Sequence, residues 1–333
     1  MMTKAKRILV AGGGGFIGGH LAKSLIDAGH DVVVADIKPQ SQWYQLHDTA
    51  ENYSLNLEDK IACFKVAEGC DLVYNLACNM GGMGFIAHNR ALCMESVLIN
   101  THLLMAAKEH GVGRFFYASS ACVYPDYRQE DADVVALREQ DAYPAMPEDG
   151  YGWEKLFSER MCKVYEEDFG LSTRVFRFHN VYGPNGTWDG GREKAPAAVC
   201  RKVIEAIDRG DHEIEIWGDG EQSRSFMYID DCLTGLGKLM ASDYNDPLNL
   251  GRSELVTINQ LVSIVEEIAG VELKRKYKLD APQGVRGRNS DNTRINDVLG
   301  WEPGIDLKTG MAKTYEWINE QYQRRKAGEL VVQ

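Results

Sequence analysis

Apolar residues near the start of the chain come in short unbroken runs, "RILVA", "DVVVA", "LVYNLA" and "RFFYA", each ended by glycine or small polar residues. Strands that are buried on both faces have this pattern, whereas a half-exposed strand would alternate. Between the runs the apolar positions fall at helical spacing, as in Phe16, Ile17, Leu21 and Leu25. One long helical stretch is predicted over 88–110, leading through Gly111 and Gly113 into "RFFYASS". A helix over 152–168 and a single strand "TRVFRFHNVYGP" over 173–184 follow. Strand and helix in strict alternation predict an α/β protein with a doubly wound parallel sheet of about seven strands. Beyond residue 184 the rhythm changes to Gly- and Arg-rich loops, a short "EIEIWGDG" strand, and helices over 257–269 and 308–325. The expected division is a nucleotide-binding domain from 1–181 plus 225–251 and a smaller C-terminal substrate lobe from 182–224 plus 252–333.

Charge narrows the partners. With 37 basic and 49 acidic side chains the chain carries a formal charge of −12, which removes any general attraction for nucleic acid or anionic membrane. No window approaches an apolar membrane span, and the N-terminus runs straight into a strand without a leader, so a cytoplasmic protein is expected. The eight cysteines stand singly with no CxxC pair, so neither a disulfide framework nor a metal site is expected. The helical stretches 88–110 and 152–168 carry apolar residues on more than one face, among them Met94, Leu98, Leu103, Leu104, Leu156 and Phe157. A helix covered on one side by the sheet and apolar on the other predicts a homodimer.

Candidate chemistry begins at "GGGGFIGGHLA", where Gly12, Gly15 and Gly18 open a helix directly after a strand. The first glycine permits the tight turn, the second lets backbone approach a pyrophosphate, and the third lets the helix pack on the strand. Asp36, at the end of the next strand, suits a ribose hydroxyl pair and repels a 2′-phosphate, which favours NAD over NADP. In "YGWEK", Tyr151 and Lys155 lie one turn apart, so the ammonium is expected to lower the phenol pKa from about 10 and let it take a proton from an alcohol. Ser120 can share the same substrate oxygen. Cys122, just past the end of "RFFYASS", is either packing or a base; a local positive charge would lower its pKa from about 8.5.

"GGGGFIGGHL", "SSACVYP", "YGWEK", "RFHNVYGP", "WGDGEQSRSFMYIDD" and "RGRNSDN" together resemble the extended short-chain dehydrogenase family that acts on nucleotide sugars. "NMGGMGF", "RFHNVYGPNGTWDGGREKAPAA" and "VRGRNSDNT" bring the likeness closest to its members that invert two ring carbons of a GDP-hexose. The resemblance implies a Rossmann fold binding NAD through Gly12, Gly15, Phe16, Ile17, Gly18, Asp36, Asn56, Leu57, Leu76, Tyr151 and Lys155. Asn56 departs from the family, which usually has an Asp near the adenine. Catalysis is implied for Tyr151, Lys155, Ser120, Cys122 as base and Lys194 as the opposing acid. A GDP-sugar is implied to touch Gly81, Gly82, Met83, Ser120, Ala121, Cys122, Asn180, Glu193, Lys194, Ala195 and Lys202. Gln222, Ser223, Arg224, Arg286 and Arg288 complete that set, the three arginines gripping the pyrophosphate.

The implied reaction is conversion of GDP-mannose to GDP-L-galactose, with GDP-L-gulose as the 5-epimer. It proceeds by oxidation at carbon 4, proton exchange at carbons 3 and 5, and re-reduction. Ala121-Cys122 stands where the family's dehydratases carry an Asp-Glu pair, which argues against loss of water. Three other readings stay open on these residues. They are a GDP-4-keto-6-deoxymannose 3,5-epimerase/4-reductase, a nucleotide-sugar 4-epimerase, and a non-catalytic NAD sensor on the same fold.

Overall fold

The structure, a computed structural model, describes residues 5–281 and 283–332. The first half consists of β1 (Arg7–Ala11), α1 (Phe16–Asp27), β2 (Asp31–Asp36), β3 (Glu51–Ser54), α2 (Lys60–Ala67), β4 (Leu72–Asn75), α3 (Met83–His88), α4 (Arg90–Glu95), α5 (Val97–Glu109), β5 (Arg114–Ser120), α6 (Tyr151–Phe169) and β6 (Thr173–Phe178). The second half contains β7 (Asn180–Tyr182), α7 (Ala195–Arg209), β8 (Glu213–Trp217), β9 (Ser223–Tyr228), α8 (Ile229–Ala241), β10 (Leu248–Leu250) and β11 (Leu255–Thr257). It ends with α9 (Ile258–Ala269), β12 (Lys274–Lys278), β13 (Gly287–Arg288), α10 (Thr293–Leu299) and α11 (Leu307–Lys326).

Seven strands form one parallel sheet in the order β10-β6-β5-β4-β1-β2-β3. The order reverses between β1 and β4, so the crevice for a dinucleotide lies at the carboxyl ends of these strands. Along β1 the side chains alternate between two cores. Ile8 and Val10 join Val32, Val34, Phe116 and Phe176 on one face, and Leu9 and Ala11 join Val33, Val73, Phe115 and Leu103 on the other. The first core continues without a break into the second half through Val199, Val203, Leu261 and Val265.

Two elements differ from the sequence expectation. The helical stretch 88–110 is three segments in space, broken at Asn89 and Ser96. Ser96 is buried and its hydroxyl accepts the Asn79 N–H at 2.8 Å, a bond that ties the loop after β4 to the helix break. The strand expected over 173–184 splits at His179. Its N–H bonds the Leu250 carbonyl at 3.0 Å as the last contact with the main sheet, and β7 then pairs with β9. The segment 225–251 is likewise divided, since β9 belongs to the small sheet of β7, β9, β11 and β13 while β10 edges the large one.

Beneath the sheet edge lies a buried ion pair that the sequence reading did not anticipate. Arg177 on β6 donates through Nε and Nη2 to the two oxygens of Glu159 on α6, at 2.9 and 2.7 Å. Ser119 on β5 donates to the same carboxylate at 2.5 Å, and Arg177 Nη1 reaches the Glu139 carbonyl at 2.6 Å. Both side chains are 3% exposed, so neither charge can fall back on water. Glu159→Ala is expected to destabilise the protein by about 3–5 kcal/mol, because it leaves a buried guanidinium uncompensated. Urea denaturation should show a lower midpoint with an unchanged slope; a midpoint within error of the parent would refute the assignment.

Candidate active site

The glycine loop, Asp36, Leu76 and Ser120 all sit at the carboxyl edge of the large sheet, where β1, β2, β4 and β5 end. Gly12 has φ of 83° and lies so close to the loop after β4 that a Cβ there would come within 2.8 Å of the Ala77 nitrogen. A Cβ on Gly18 would meet the Gly12 carbonyl oxygen at 2.2 Å, which is how the start of α1 packs so tightly on the β1 turn. Gly15 caps α1 with no side-chain acceptor, leaving the first-turn N–H groups to face an anion. Asp36 is 7% exposed, and one of its oxygens accepts the Lys38 N–H at 3.0 Å. This cradle fits NAD, with Phe16, Ile17 and Leu76 half-buried and Leu57 buried around it. Asn56 is exposed and turned back on Glu58, through a side-chain bond at 3.2 Å and a backbone bond at 2.9 Å.

Beside the cradle, α6 lays Tyr151 against the turn that follows β5. Tyr151 is 5% exposed and shares a hydrogen bond with Ser120, whose hydroxyl also accepts the Cys122 N–H at 3.2 Å. Lys155 lies beneath, its Nζ 5.3 Å from the centre of the Tyr151 ring. The expectation that this lysine lowers the phenol pKa does not hold for the ligand-free protein. Lys155 is paired with Glu154 at 3.2 Å and donates to the Tyr117 hydroxyl at 3.2 Å, so its charge is compensated locally. Burial pulls the Lys155 pKa down, but Cys78 and Glu154 outweigh it and hold the ammonium above its ordinary value. Burial, with Cys78, Cys122 and Glu154 nearby, pushes the Tyr151 phenol well above 10. Glu154 went unread as a site residue, although it stands inside "YGWEK"; it also accepts from the hydroxyls of Tyr117 at 3.0 Å and Ser158 at 3.1 Å.

The same inversion applies to Cys122. A cation is present, as expected: Arg288 Nη1 donates to the thiol sulfur at 3.2 Å. Burial and Glu148 nevertheless win over Arg288, and the thiol is pushed up to about 11. Arg288 therefore stands at the thiol, its Nε held by Gln129 at 2.5 Å. Lys194 approaches from the other half. Its half-buried side chain is close enough to feel Cys122, Cys78 and Arg288, and burial lowers its pKa. Gly82 brings its loop there, because it packs so closely that a Cβ would sit 2.7 Å from the Glu193 carbonyl, and its N–H bonds the Arg192 carbonyl at 3.0 Å. Glu193 stiffens this turn by accepting from Arg201 at 2.9 Å and from the Gly191 N–H at 2.7 Å. Gly81 packs on Phe85, Met83 lies against Gly284, and Ala121 and Ala195 adjoin Cys122 and Lys194 in sequence.

The remaining candidates are less uniform. Among the described residues Arg224 bonds only backbone carbonyls, those of Ser223 at 2.7 Å and Val285 at 2.6 Å included, and pairs with no carboxylate. Burial and Arg288 push it down to about 9, so a bound anion would relieve it. Arg286 does not join it, being ion-paired with surface Asp219 at 2.8 Å. Lys202 donates to the Glu215 carbonyl at 2.9 Å, Asn180 to that of Ser225 at 3.0 Å, and Gln222 to that of Trp217 at 2.8 Å. The Ser223 hydroxyl is engaged by the Ala132 carbonyl. Among the described residues no His, Cys, Asp and Glu cluster could hold a metal ion, and all eight cysteines are free thiols.

A glycine cradle at the switch point with a Tyr–Lys pair beside it defines a nucleotide-cofactor oxidoreductase scaffold. The chain belongs to the NAD dependent epimerase/dehydratase family, whose model matches residues 8–251, and its cofactor is NAD. It is 47% identical over 321 residues to GDP-mannose 3,5-epimerase 1 of Oryza sativa subsp. japonica, covering 96% of this chain and 83% of that protein. Among solved structures it is similar to the UDP-glucose 4-epimerase of Thermotoga maritima, with a TM-score of 0.86, 27% identity, and 95% and 99% of the two chains covered. It is also similar to the UDP-glucuronic acid 4-epimerase of Bacillus cereus in complex with UDP-glucuronic acid and NAD, at a TM-score of 0.80, 25% identity, and 94% and 99% coverage.

The pKa direction at Cys122 has a direct test. Because the folded thiol holds its proton more tightly than the unfolded chain, its contribution to stability is complete below about 8.5 and is lost as pH rises towards 11. Alkylation by iodoacetamide requires the thiolate. In the ligand-free protein, labelling of Cys122 followed by peptide mass spectrometry should still be accelerating at pH 10. A plateau near pH 8.5 would show that Arg288 dominates after all.

Proposed function

We propose that the chain catalyses NAD-dependent 3,5-epimerisation of GDP-mannose. The observation that carries this reading is the convergence of Cys122 and Lys194, from opposite halves of the chain, beside Tyr151 and the cofactor cradle. A 4-epimerase needs only the tyrosine. The likeness to a GDP-mannose 3,5-epimerase at 47% identity supports the same reading.

When bound, NAD supplies reversible removal of hydride from carbon 4 of the hexose. Tyr151, after releasing its own proton to solvent, takes the proton of the carbon-4 hydroxyl, with Ser120 holding that oxygen. A carbonyl at carbon 4 acidifies the hydrogens on carbons 3 and 5, since each carbanion is delocalised as an enolate. Cys122, after releasing its own proton to solvent, removes such a hydrogen from one ring face as the thiolate. Lys194 delivers a proton to the other face, and its burial makes it the readier donor. Arg224, without a carboxylate of its own, holds the pyrophosphate. The lobe of residues 182–224 and 252–333 closes over the sugar. Eight free thiols suit a reducing compartment, which supports the cytosol as its location.

Incubation with GDP-mannose in deuterated water separates the roles. Tyr151→Phe should abolish both inversion and label uptake, since no ring hydrogen is acidic without the ketone. Cys122→Ala should accumulate the 4-keto sugar yet lose exchange and inversion, by roughly a hundred- to ten-thousandfold. Lys194→Ala should admit label without inversion, because the thiol can return deuterium to the face it came from. Epimerisation by Cys122→Ala at close to the parent rate would make the cysteine mere packing and end this mechanism.

A homodimer is also proposed. Leu103 and Leu104 are buried in the sheet's own core and Leu156 against Ala121, Val123 and Tyr124, but Met94, Leu98, Trp153 and Phe157 on α4, α5 and α6 are 42–53% exposed. These helices pack on one another and present large apolar side chains to solvent, a face suited to a second copy. Sedimentation at micromolar concentration should give a dimer, and Phe157→Glu should shift it to monomer; a monomeric parent protein would contradict the proposal.

A further inference from the structure

Lys194 ends the stretch 183–194, which runs from β7 to α7 without helix or strand. Gly183, Asn185, Gly190 and Gly191 all have positive φ, between 59° and 156°. So glycine-rich a segment has many conformations to lose, and side-chain anchors have to supply its shape. Trp188 is one anchor: it is fully buried, and its Nε1 donates to the Val332 carbonyl at 3.0 Å. Arg325 on α11 lies over the same ring, 4.4 Å from its centre, and its Nη1 donates to Asp189 at 2.6 Å. Arg201, in the second turn of α7, reaches back from the other side. Its Nε donates to the Trp188 carbonyl at 3.1 Å and lies 3.4 Å from Asp189, while its Nη2 donates to Glu193 at 2.9 Å. Burial raises the Asp189 pKa, but Arg325, the Gly190 N–H and Arg201 outweigh it and hold the carboxyl below its ordinary value. Docking of α11 has other supports. Leu307, Met311, Thr314 and Ile318 are buried, and Tyr322 and Lys326 both bond Asp208 on α7, Tyr322 at 3.1 Å.

We propose that Arg325 is a positioning residue for Lys194, acting through Asp189 to fix the loop whose last residue carries the proton donor. The inference rests on Lys194 being the acid of the epimerisation proposed above. A lysine side chain is a flexible four-carbon stem, so the direction from which its ammonium reaches the ring depends on where the backbone at 194 is held. The consequence is asymmetric. Removal of a ring hydrogen falls to Cys122, whose turn is held by Ser120, Glu148 and Arg288 rather than by Arg325. Delivery to the opposite face falls to Lys194. Loosening the loop therefore impairs one half of the inversion and spares the other, whereas a general loss of structure impairs both.

Parent enzyme, Arg325→Ala, Arg325→Lys, Asp189→Ala and the double variant are incubated with GDP-mannose in deuterated water. Arg325→Ala should lose roughly tenfold in inversion while label still enters uninverted mannose, so the ratio of labelled mannose to epimer rises by the same factor. Arg325→Lys, which keeps the charge, should recover part of that ratio. Adding Arg325→Ala to Asp189→Ala should change it little further, since the two act as one unit. An unchanged ratio in Arg325→Ala, or equal losses of label and inversion, would overturn the role. Amide hydrogen exchange of the ligand-free protein reads the loop without any substrate. Arg325→Ala should speed exchange across 183–194 and leave the glycine loop at 12–18 as in the parent; unchanged protection across 183–194 would also overturn the proposal. A parent enzyme that neither labels nor epimerises GDP-mannose would instead sink the substrate reading, and with it the part given to Lys194, whatever hydrogen exchange shows of the loop.

Discussion

The bidentate pair between Arg177 and Glu159 is the constraint on which the geometry of the site depends. One carboxylate receives Arg177 from β6 and Ser119 from β5, and it is carried by the helix whose first residue is Tyr151. Sliding α6 by one turn would break all three bonds in a place water cannot reach. The pair therefore sets the register of α6 along β5, and with it the placing of Tyr151 against Ser120 and of Lys155 beneath the phenol ring. A buried ion pair need not add stability over an apolar equivalent, but it forbids near-miss alternatives because each leaves a bare charge.

A second theme is the contrast between global and local charge. The chain is strongly acidic overall, yet around the thiol it gathers Arg288, Lys194 and Arg224, and Arg224 has no carboxylate among its partners. Each is withdrawn from water; burial lowers the Lys194 and Arg224 pKa values, whereas at Arg288 Cys122 and Glu148 outweigh burial and raise it. Without ligand the site keeps its tyrosine and cysteine protonated. A nucleotide sugar with two phosphate charges is the kind of anion that such an excess of buried cations accommodates.

Much of this was legible along the chain. The unbroken apolar runs determine a parallel sheet covered on both faces, and the glycine spacing determines where its first turn meets a pyrophosphate. Those signals are local: a strand needs its own apolar run, and a turn with φ of 83° needs its own glycine. The tyrosine and lysine one turn apart, and the thiol two residues beyond the end of β5, were legible for the same reason.

What only the tertiary structure decided are relations between residues far apart in the chain. Arg288 reaches the thiol across 166 residues, and Glu159 reaches Arg177 and Ser119 from a different element. Lys194 comes within electrostatic reach of Cys122, and Gly82 lets its loop touch Glu193 beside it. The breaks at Ser96 and His179 also belong here, since each follows from a partner, the Asn79 amide and the Leu250 carbonyl, that local periodicity does not contain. The protonation states were misjudged from sequence for the same cause. A neighbouring cation can be inferred from residue types, but the depth of burial that outweighs it exists only once the chain has closed around the group.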